Sequence, residues 1–520
     1  MKKGIFSVLS ILFFTLPLYS QFQNVRITAH IYGEEWISIN PKNPNQMVTG
    51  VIGIYTPANS MMGYYYTTNA GLNWSGGPML TTLGEPGSDP VVLVDTAGYF
   101  YYICCANYGV PGPNLDKFFC FKSTNGGMNW DNGTEFAHIY HKMDDMPMGC
   151  MDFSNSIYKN NLYVTWTLYD TMLSHNPADS SFVYFTSSTN SGASFTEPKR
   201  ISRVAGHGYY DYSNPEGPVP CTGYNGEVYV CFPYDSLILF NRSTDAGNSW
   251  LTDDIIVSRQ VGSYFLKHSP VVTCDLSNSL YKGNVYIVFS DLRNGANDRD
   301  IWFTKSTNRG DSWGTVVRVN NDSPGHDQEL PWICVDRVTG YIWIVFYDSR
   351  NSVNQIICDA YVARSTDGGN TFQNVRASNS NFYMGNWYGE YMGISAYNNV
   401  VRPVWSKSSV GELWTAIIDS FVIGIQKISN EIPLSFTLSQ NFPNPFNPAT
   451  TIKFSLPKAA FTKVTVYDAL GREDAVIVNE LLNVGSYETS WNAENFPSGV
   501  YFYKIESGDY TASKKMILIK

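Results

Sequence analysis

Short runs in which aromatic or β-branched residues alternate with polar ones recur along the chain, at Gly63 to Thr67, Phe118 to Lys122, Phe182 to Ser187, Leu237 to Arg242, Ile301 to Lys305 and Ala360 to Arg364. A period of two predicts a strand in each. A longer, more continuously apolar run precedes most of them (Tyr99 to Cys105, Asn161 to Tyr169, Glu227 to Tyr234, Asn284 to Ser290, Tyr341 to Tyr347), and before that comes a third run such as Pro90 to Asp95, Pro270 to Asp275 or Pro331 to Asp336. Short runs such as Val316 to Asn320 follow, so the pattern predicts repeated four-stranded units, lettered A to D here, in an all-β chain.

Between strands C and D of six units stands one motif, Ser/Thr-Thr-Asn/Asp-x-Gly-x-x-Trp/Phe: Thr67 to Trp74, Ser123 to Trp130, Ser188 to Phe195, Ser243 to Trp250, Ser306 to Trp313 and Ser365 to Phe372. Near-constant spacing of one motif over a period of about sixty residues signals a propeller or solenoid. Its physics is that of a hairpin turn: the Asn or Asp oxygen accepts backbone N–H bonds, Gly supplies a positive φ, and the ring folds back over the strands. Asn69, Asn125, Asn190 and Asn308 stand where Asp245 and Asp367 stand in the other two, which suits a hydrogen-bonding role and not proton transfer.

These turns resemble the Asp boxes, or BNR repeats, of sialidase-like β-propellers. The resemblance implies blades around an axis, with box turns on one face and the D-to-A and B-to-C connections on the other. Counting boxes gives six blades. Counting A-B-C units gives seven, the last running through Glu390 to Ala396, Val400 to Ser406 and Glu412 to Ile418 without a box. Phe22-Gln23-Asn24-Val25-Arg26 repeats Phe372-Gln373-Asn374-Val375-Arg376, the D strand after the sixth box. The N-terminus thus reads as the outer strand of a seventh blade, which favours seven over six and closes the ring without open edges.

The ends of the chain define its other parts. Lys2, Lys3 and the apolar stretch Ile5 to Leu18 predict a signal peptide over residues 1–20, and no later run is long and apolar enough to span a membrane. The propeller is expected over 21–425, a linker over 426–436, and a small Ig-like β-sandwich over 437–520. That last segment, with Asn441-Phe442-Pro443-Asn444-Pro445-Phe446-Asn447-Pro448, Val466-Tyr467-Asp468, Ser498-Gly499-Val500-Tyr501-Phe502 and Lys514-Lys515-Met516, resembles the type A sorting domain of type IX secretion. The resemblance implies export through the periplasm, handling by the type IX machinery, and a secreted or outer-surface location.

Composition narrows the partners. A net charge of −10 lacks the basic footprint that nucleic acid demands. The nine cysteines have neither Cys-x-x-Cys pairs nor a His set for zinc; Cys221 and Cys231 fall on neighbouring strands, but buried free thiols are the plainer reading.

The face opposite the boxes is where chemistry is expected. The D-to-A side places Glu34, Glu35, Asp89, Asp144, Asp145, Glu216, His268, Glu329 and Glu390 there, and the B-strand ends add Asp170, Asp235, Asp291, Arg293, Asp348 and Arg350. Glycosidic hydrolysis needs two carboxyls, one held protonated, which makes Glu390, Glu329, Glu216 and Asp89 the candidate catalytic groups. The sialidase resemblance implies a Tyr nucleophile with a Glu and a set of arginines, which fall on Tyr388 with Glu390, beside Tyr391, and on Arg293, Arg350 and Arg402; Arg26-Ile27-Thr28 stands in place of the family's Arg-Ile-Pro. Asp291, Asp348 and Trp387 complete the expected ligand-binding set, with Trp36, Trp332 and Tyr388 as rings for sugar stacking. Against this, the Asp291/Arg293 and Asp348/Arg350 pairs also read as salt bridges. No metal ligand set is legible and no cofactor is required; calcium is the ion that a ring of carboxylates suits, although no EF-hand loop is present. The resulting expectation is a sialidase-like propeller that binds extracellular glycans or polysaccharides at its axial face, with hydrolysis of glycosidic bonds there left open. The alternative is a non-catalytic surface recognition or adhesion propeller.

Overall fold

A computed structural model of the chain describes residues 22–520 except 30, 57–58, 82–84, 108–114, 140, 210–212, 263–268, 385–388, 419–425, 430–432, 483 and 494–495. The expected signal peptide, and Trp387, Tyr388 and His268, lie outside the described residues. All regular structure among those described is β, and they contain no helix long and apolar enough to cross a membrane.

Seven antiparallel sheets fill residues 23–418. Their innermost strands are Ile31–Ile39, Val91–Val94, Met143–Met151, Val219–Thr222, Val271–Cys274, Gln328–Val335 and Gly393–Tyr397. Each touches the next and the last touches the first, so the sheets stand radially in a closed ring. The second strands are buried along most or all of their length, Leu162–Tyr169 and Ile342–Asp348 at every position, because each sheet is sandwiched between two others. That is why they read as unbroken apolar runs, whereas outer strands such as Ile255–Arg259 do not.

The seventh sheet is built from both ends. Gly393–Tyr397, Val400–Lys407 and Glu412–Ile417 come from the last quarter of the chain, and Gln23–Ala29 pairs antiparallel with Glu412–Ile417 as its outer strand. Arg26, expected away from the axis, lies on this strand and reaches Glu412 at 2.8 Å.

The six box turns are built alike. The Ser or Thr hydroxyl donates to the Asn or Asp oxygen, the Gly N–H donates to that hydroxyl, and the N–H four residues beyond the Asn or Asp closes the loop on its side-chain oxygen. The box rings also join sheets: Trp250 packs edge-on to Phe185 of the preceding sheet at 5.0 Å, Trp313 to Phe240 at 5.2 Å and Phe372 to Phe303 at 5.1 Å. The seventh sheet has no box. Its Arg402, expected to bind anions at the axial face, is instead fully buried beneath the first box, donating to the Ala70 carbonyl at 2.7 and 2.9 Å. A buried guanidinium needs such acceptors, and the box carbonyl provides one.

All nine cysteines are free, seven of them buried and Cys150 and Cys334 half-buried. Cys221 faces Tyr229 and Cys231 faces Val219, so the two thiols occupy different rungs of their hairpin.

After the propeller, two four-stranded sheets enclose a separate core that includes Ile452, Phe454, Val464, Tyr487, Trp491 and Tyr503. One correction concerns the expected linker. Gln426–Ser429 pairs with Gly485–Asn492 as an edge strand of this sandwich, covering an edge that would otherwise stay open.

Candidate functional site

Every innermost strand enters its sheet on the axial face, and most do so through an irregularity. Register slips separate Gly33 from Trp36, Asp145 from Met148 and Glu329 from Trp332. At these entries Glu34, Asp89, Met146, Gly217, Leu330 and Gly389 hold φ between 49° and 81°. Non-glycine residues adopt that conformation at a cost, and such bulges re-aim the side chains around them. Here they direct a carboxylate inward from five different sheets.

Glu34, Asp89 and Glu390 each bring a carboxylate oxygen within 4.8 Å of the other two, and Asp89, Cys105 and Asp145 form a second such group sharing Asp89. The Asp89 N–H donates to Glu34 Oε2 at 3.3 Å, and Asp89 Oδ2 accepts from Ser88 Oγ–H at 2.6 Å and from Cys105 Sγ–H at 3.4 Å. Glu216 faces the same group, buried, with neither carboxylate oxygen hydrogen-bonded. Glu390 is half-buried and meets solvent, whereas Glu34, Asp89, Asp145 and Glu216 are buried. Gly389 permits this approach: a Cβ there would lie 2.5 Å from the Glu34 nitrogen.

Electrostatics follow from that crowding. Burial, and then the neighbouring charges of Asp89, Glu390 and Asp145, raise the Glu34 carboxyl well above its usual range. Burial and then Asp145, Glu390 and Asp89 do the same to Glu216. Burial also raises Asp89, against hydrogen bonds from Ser88, Cys105 and Glu34. Two more acids stand behind the group. Burial pushes Glu35 up to about 8, and Asp144, raised by burial, accepts from Trp166 Nε1–H at 2.6 Å.

Below the carboxylates the axis is filled. Trp36, Trp332 and Tyr391 form an edge-to-face and tilted trio with centroid separations of 4.9, 5.8 and 6.2 Å. The expectation that Trp36 and Trp332 stack on sugars is therefore corrected: their rings pack on each other and on Tyr391, and Trp332 is buried. Deeper still lies a cavity of about 210 Å³ lined by all seven innermost strands. Near its far end the Arg337 guanidinium sits 3.2 Å over the Phe153 ring.

The other expected groups sit apart. Glu329 turns toward Arg299 at 3.7 Å. Arg293 and Arg350 each bind their own sequence neighbour, Asp291 and Asp348, at 2.6 Å, and lie over the rings of Trp302 and Tyr361. Asp291 and Asp348 are fully buried. Asp170 pairs with Lys142 at 2.5 Å, and Asp235 occupies a left-handed turn. Asp145 and Glu34 are expected on this face from the sequence but not among the candidate catalytic groups. A signal for the group was present in the repeated acid-x-Pro triplets Asp145-Met146-Pro147, Glu216-Gly217-Pro218 and Glu329-Leu330-Pro331, with Asp89-Pro90 beside them.

Residues 440–520 match the secretion system C-terminal sorting domain. The chain is thus a substrate of the type IX system, carried to the cell surface or the extracellular space. Among solved structures it is similar to a PL25 ulvan lyase bound to a GlcA–Rha3S fragment (10% identity, TM-score 0.48, 76% of this chain and 96% of that one). It is similar as well to the NanB sialidase of Streptococcus pneumoniae (10%, 0.36, 78% and 70%). A third is PorZ, a surface component of the type IX system of Porphyromonas gingivalis (13%, 0.32, 92% and 69%). No curated protein matches the sequence.

Proposed function

We propose that this exported propeller binds extracellular glycan at its axial face, around Glu390. The observation that carries this reading is the convergence of carboxylates from five sheets on one face, with Glu390 as the member of the group that keeps contact with solvent. A carboxylate accepts paired hydrogen bonds from vicinal sugar hydroxyls, and a face where Arg293, Arg350, Arg299 and Lys142 are already paired with carboxylates suits neutral sugars. Tyr209, exposed and stacked on His175 at 4.1 Å in a neighbouring connection, offers a ring for a sugar face.

Binding is favoured over hydrolysis. Cleavage needs a second carboxyl facing the substrate across an open cleft, and the carboxyls nearest Glu390 are buried above an axis filled by aromatic rings. The test is a panel of sialyl conjugates and plant β-glucans presented to the purified full-length chain. Retention of one glycan class, weakened at least about tenfold by Glu390→Gln, is the expected outcome. Absence of retention across the panel removes the reading, and turnover abolished by Glu390→Gln moves the protein to the hydrolases.

A further inference from the structure

We infer that the axial carboxylates form a calcium site, with Glu34, Asp89 and Glu390 as ligands and Glu216 and Asp145 closing it from the side. Three observations meet here. The ligand oxygens of Glu34, Asp89 and Glu390 lie within 4.8 Å of one another. Calcium takes six to eight oxygen ligands, several of them carboxylates, whereas magnesium keeps most of its waters and usually takes one or two carboxylates, so a group of this many carboxylates suits calcium. Glu216 is buried with both oxygens unbonded, a state that costs several kcal/mol for an ionised carboxylate lacking a partner.

The third observation is the crowding of like charge among the described residues. The charges felt most strongly by Glu34 and Glu216 are all carboxylates. A divalent ion would neutralise that repulsion and supply the partner that Glu216 lacks. Among the described residues the donor set is hard: five carboxylates, no imidazole, and a Cys105 thiol that already donates to Asp89. Zinc and copper prefer nitrogen and sulfur, and calcium prefers this set. Glu390 alone of the three ligands meets solvent, which gives the ion an entry path at the axial face.

The test uses the full-length chain, stripped with EGTA and titrated with calcium chloride or magnesium chloride, with calorimetric and thermal-unfolding readouts. One calcium per chain, a raised Tm, and magnesium binding at least about tenfold weaker are expected. Glu216→Gln and Glu34→Gln should each raise the Tm of calcium-free protein, by relieving repulsion, while cutting calcium affinity at least about tenfold. Opposite signs with and without calcium distinguish a ligand from a merely structural residue. Should either variant fail to fold, Glu390→Gln, at a half-buried position, reports the same loss of affinity. No calcium binding up to about 10 mM, well beyond the millimolar range of extracellular modules, overturns the site. Binding unchanged in all three variants overturns it too. Calcium is read here without any glycan, so failure of this site leaves the glycan reading standing, and failure of the glycan panel leaves this site standing.

Discussion

Trp36 of the first sheet and Trp332 of the sixth meet edge to face near the axis, with ring centroids 4.9 Å apart. These sheets are not neighbours in the ring, so this contact exists only when all seven sheets are assembled. The pair closes the axis beneath the carboxylates and holds the innermost strands of both sheets at the depth where Glu34 and Glu329 leave them.

Trp36→Ala is therefore expected to destabilise the propeller by about 3 to 5 kcal/mol, the usual loss for truncating a large packed ring. Chemical denaturation followed by far-UV circular dichroism measures it. A loss below about 1 kcal/mol would mean that the trio contributes little to ring closure.

Box glycines differ sharply from exposed ones. Gly247 holds φ +89, and a Cβ there would lie 2.1 Å from the Phe185 ring of the preceding sheet, whereas a Cβ on Gly77 meets nothing within 4 Å. Gly247→Ala should cost about 2 to 4 kcal/mol, from overpacking and left-handed strain together, and Gly77→Ala should be near neutral. Equal midpoints for the two variants in urea would contradict the role of the box as a joint between sheets.

Acid should weaken two boxes and spare four. Burial would raise Asp245 and Asp367, but hydrogen bonds from Ser249, Ser243 and Asn248 in one, and from Thr371, Ser365 and Asn370 in the other, outweigh it and hold both carboxyls below their usual range. A depressed folded-state value means stability that is present above the unfolded value of about 3.9 and is lost as pH falls through the lower folded value. The double substitution Asp245→Asn and Asp367→Asn should make Tm fall less steeply below about pH 4, and an unchanged slope would show that these carboxyls do not contribute.

The thiols give a chemical test of packing. Burial raises the Cys104, Cys105, Cys221, Cys231 and Cys358 thiols well above their usual range, so the native protein should react very slowly with a disulfide reagent. All nine should titrate after denaturation without reductant. Fewer than nine would reveal a disulfide.

Local chemistry carried much of this architecture. The period-2 runs and the box turns are short-range features, because a Ser hydroxyl, an Asn oxygen and a Gly of positive φ within eight residues complete their own hydrogen bonds whatever surrounds them. The likeness of Phe22–Arg26 to Phe372–Arg376 was enough to place the N-terminal strand, since two strands with one pattern suit the same outer position. The sorting domain was legible for the same reason, through residues close in sequence.

Long-range packing determined the rest. Whether Glu216 and Glu329, both two residues before a proline, turn toward the axis or toward an arginine depends on what the next sheet presents. Glu216 meets carboxylates, and Glu329 meets Arg299. For Arg293 and Arg350 the sequence left both an anion-ligand and a salt-bridge reading, and packing decided for the salt bridges to Asp291 and Asp348, since burying those carboxylates demands a partner. Arg402 went beneath a box contributed by residues more than three hundred positions away. Sequence periodicity fixes which face of a strand is apolar, but only closure of the ring brings five distant carboxylates together and sets how much water each one keeps.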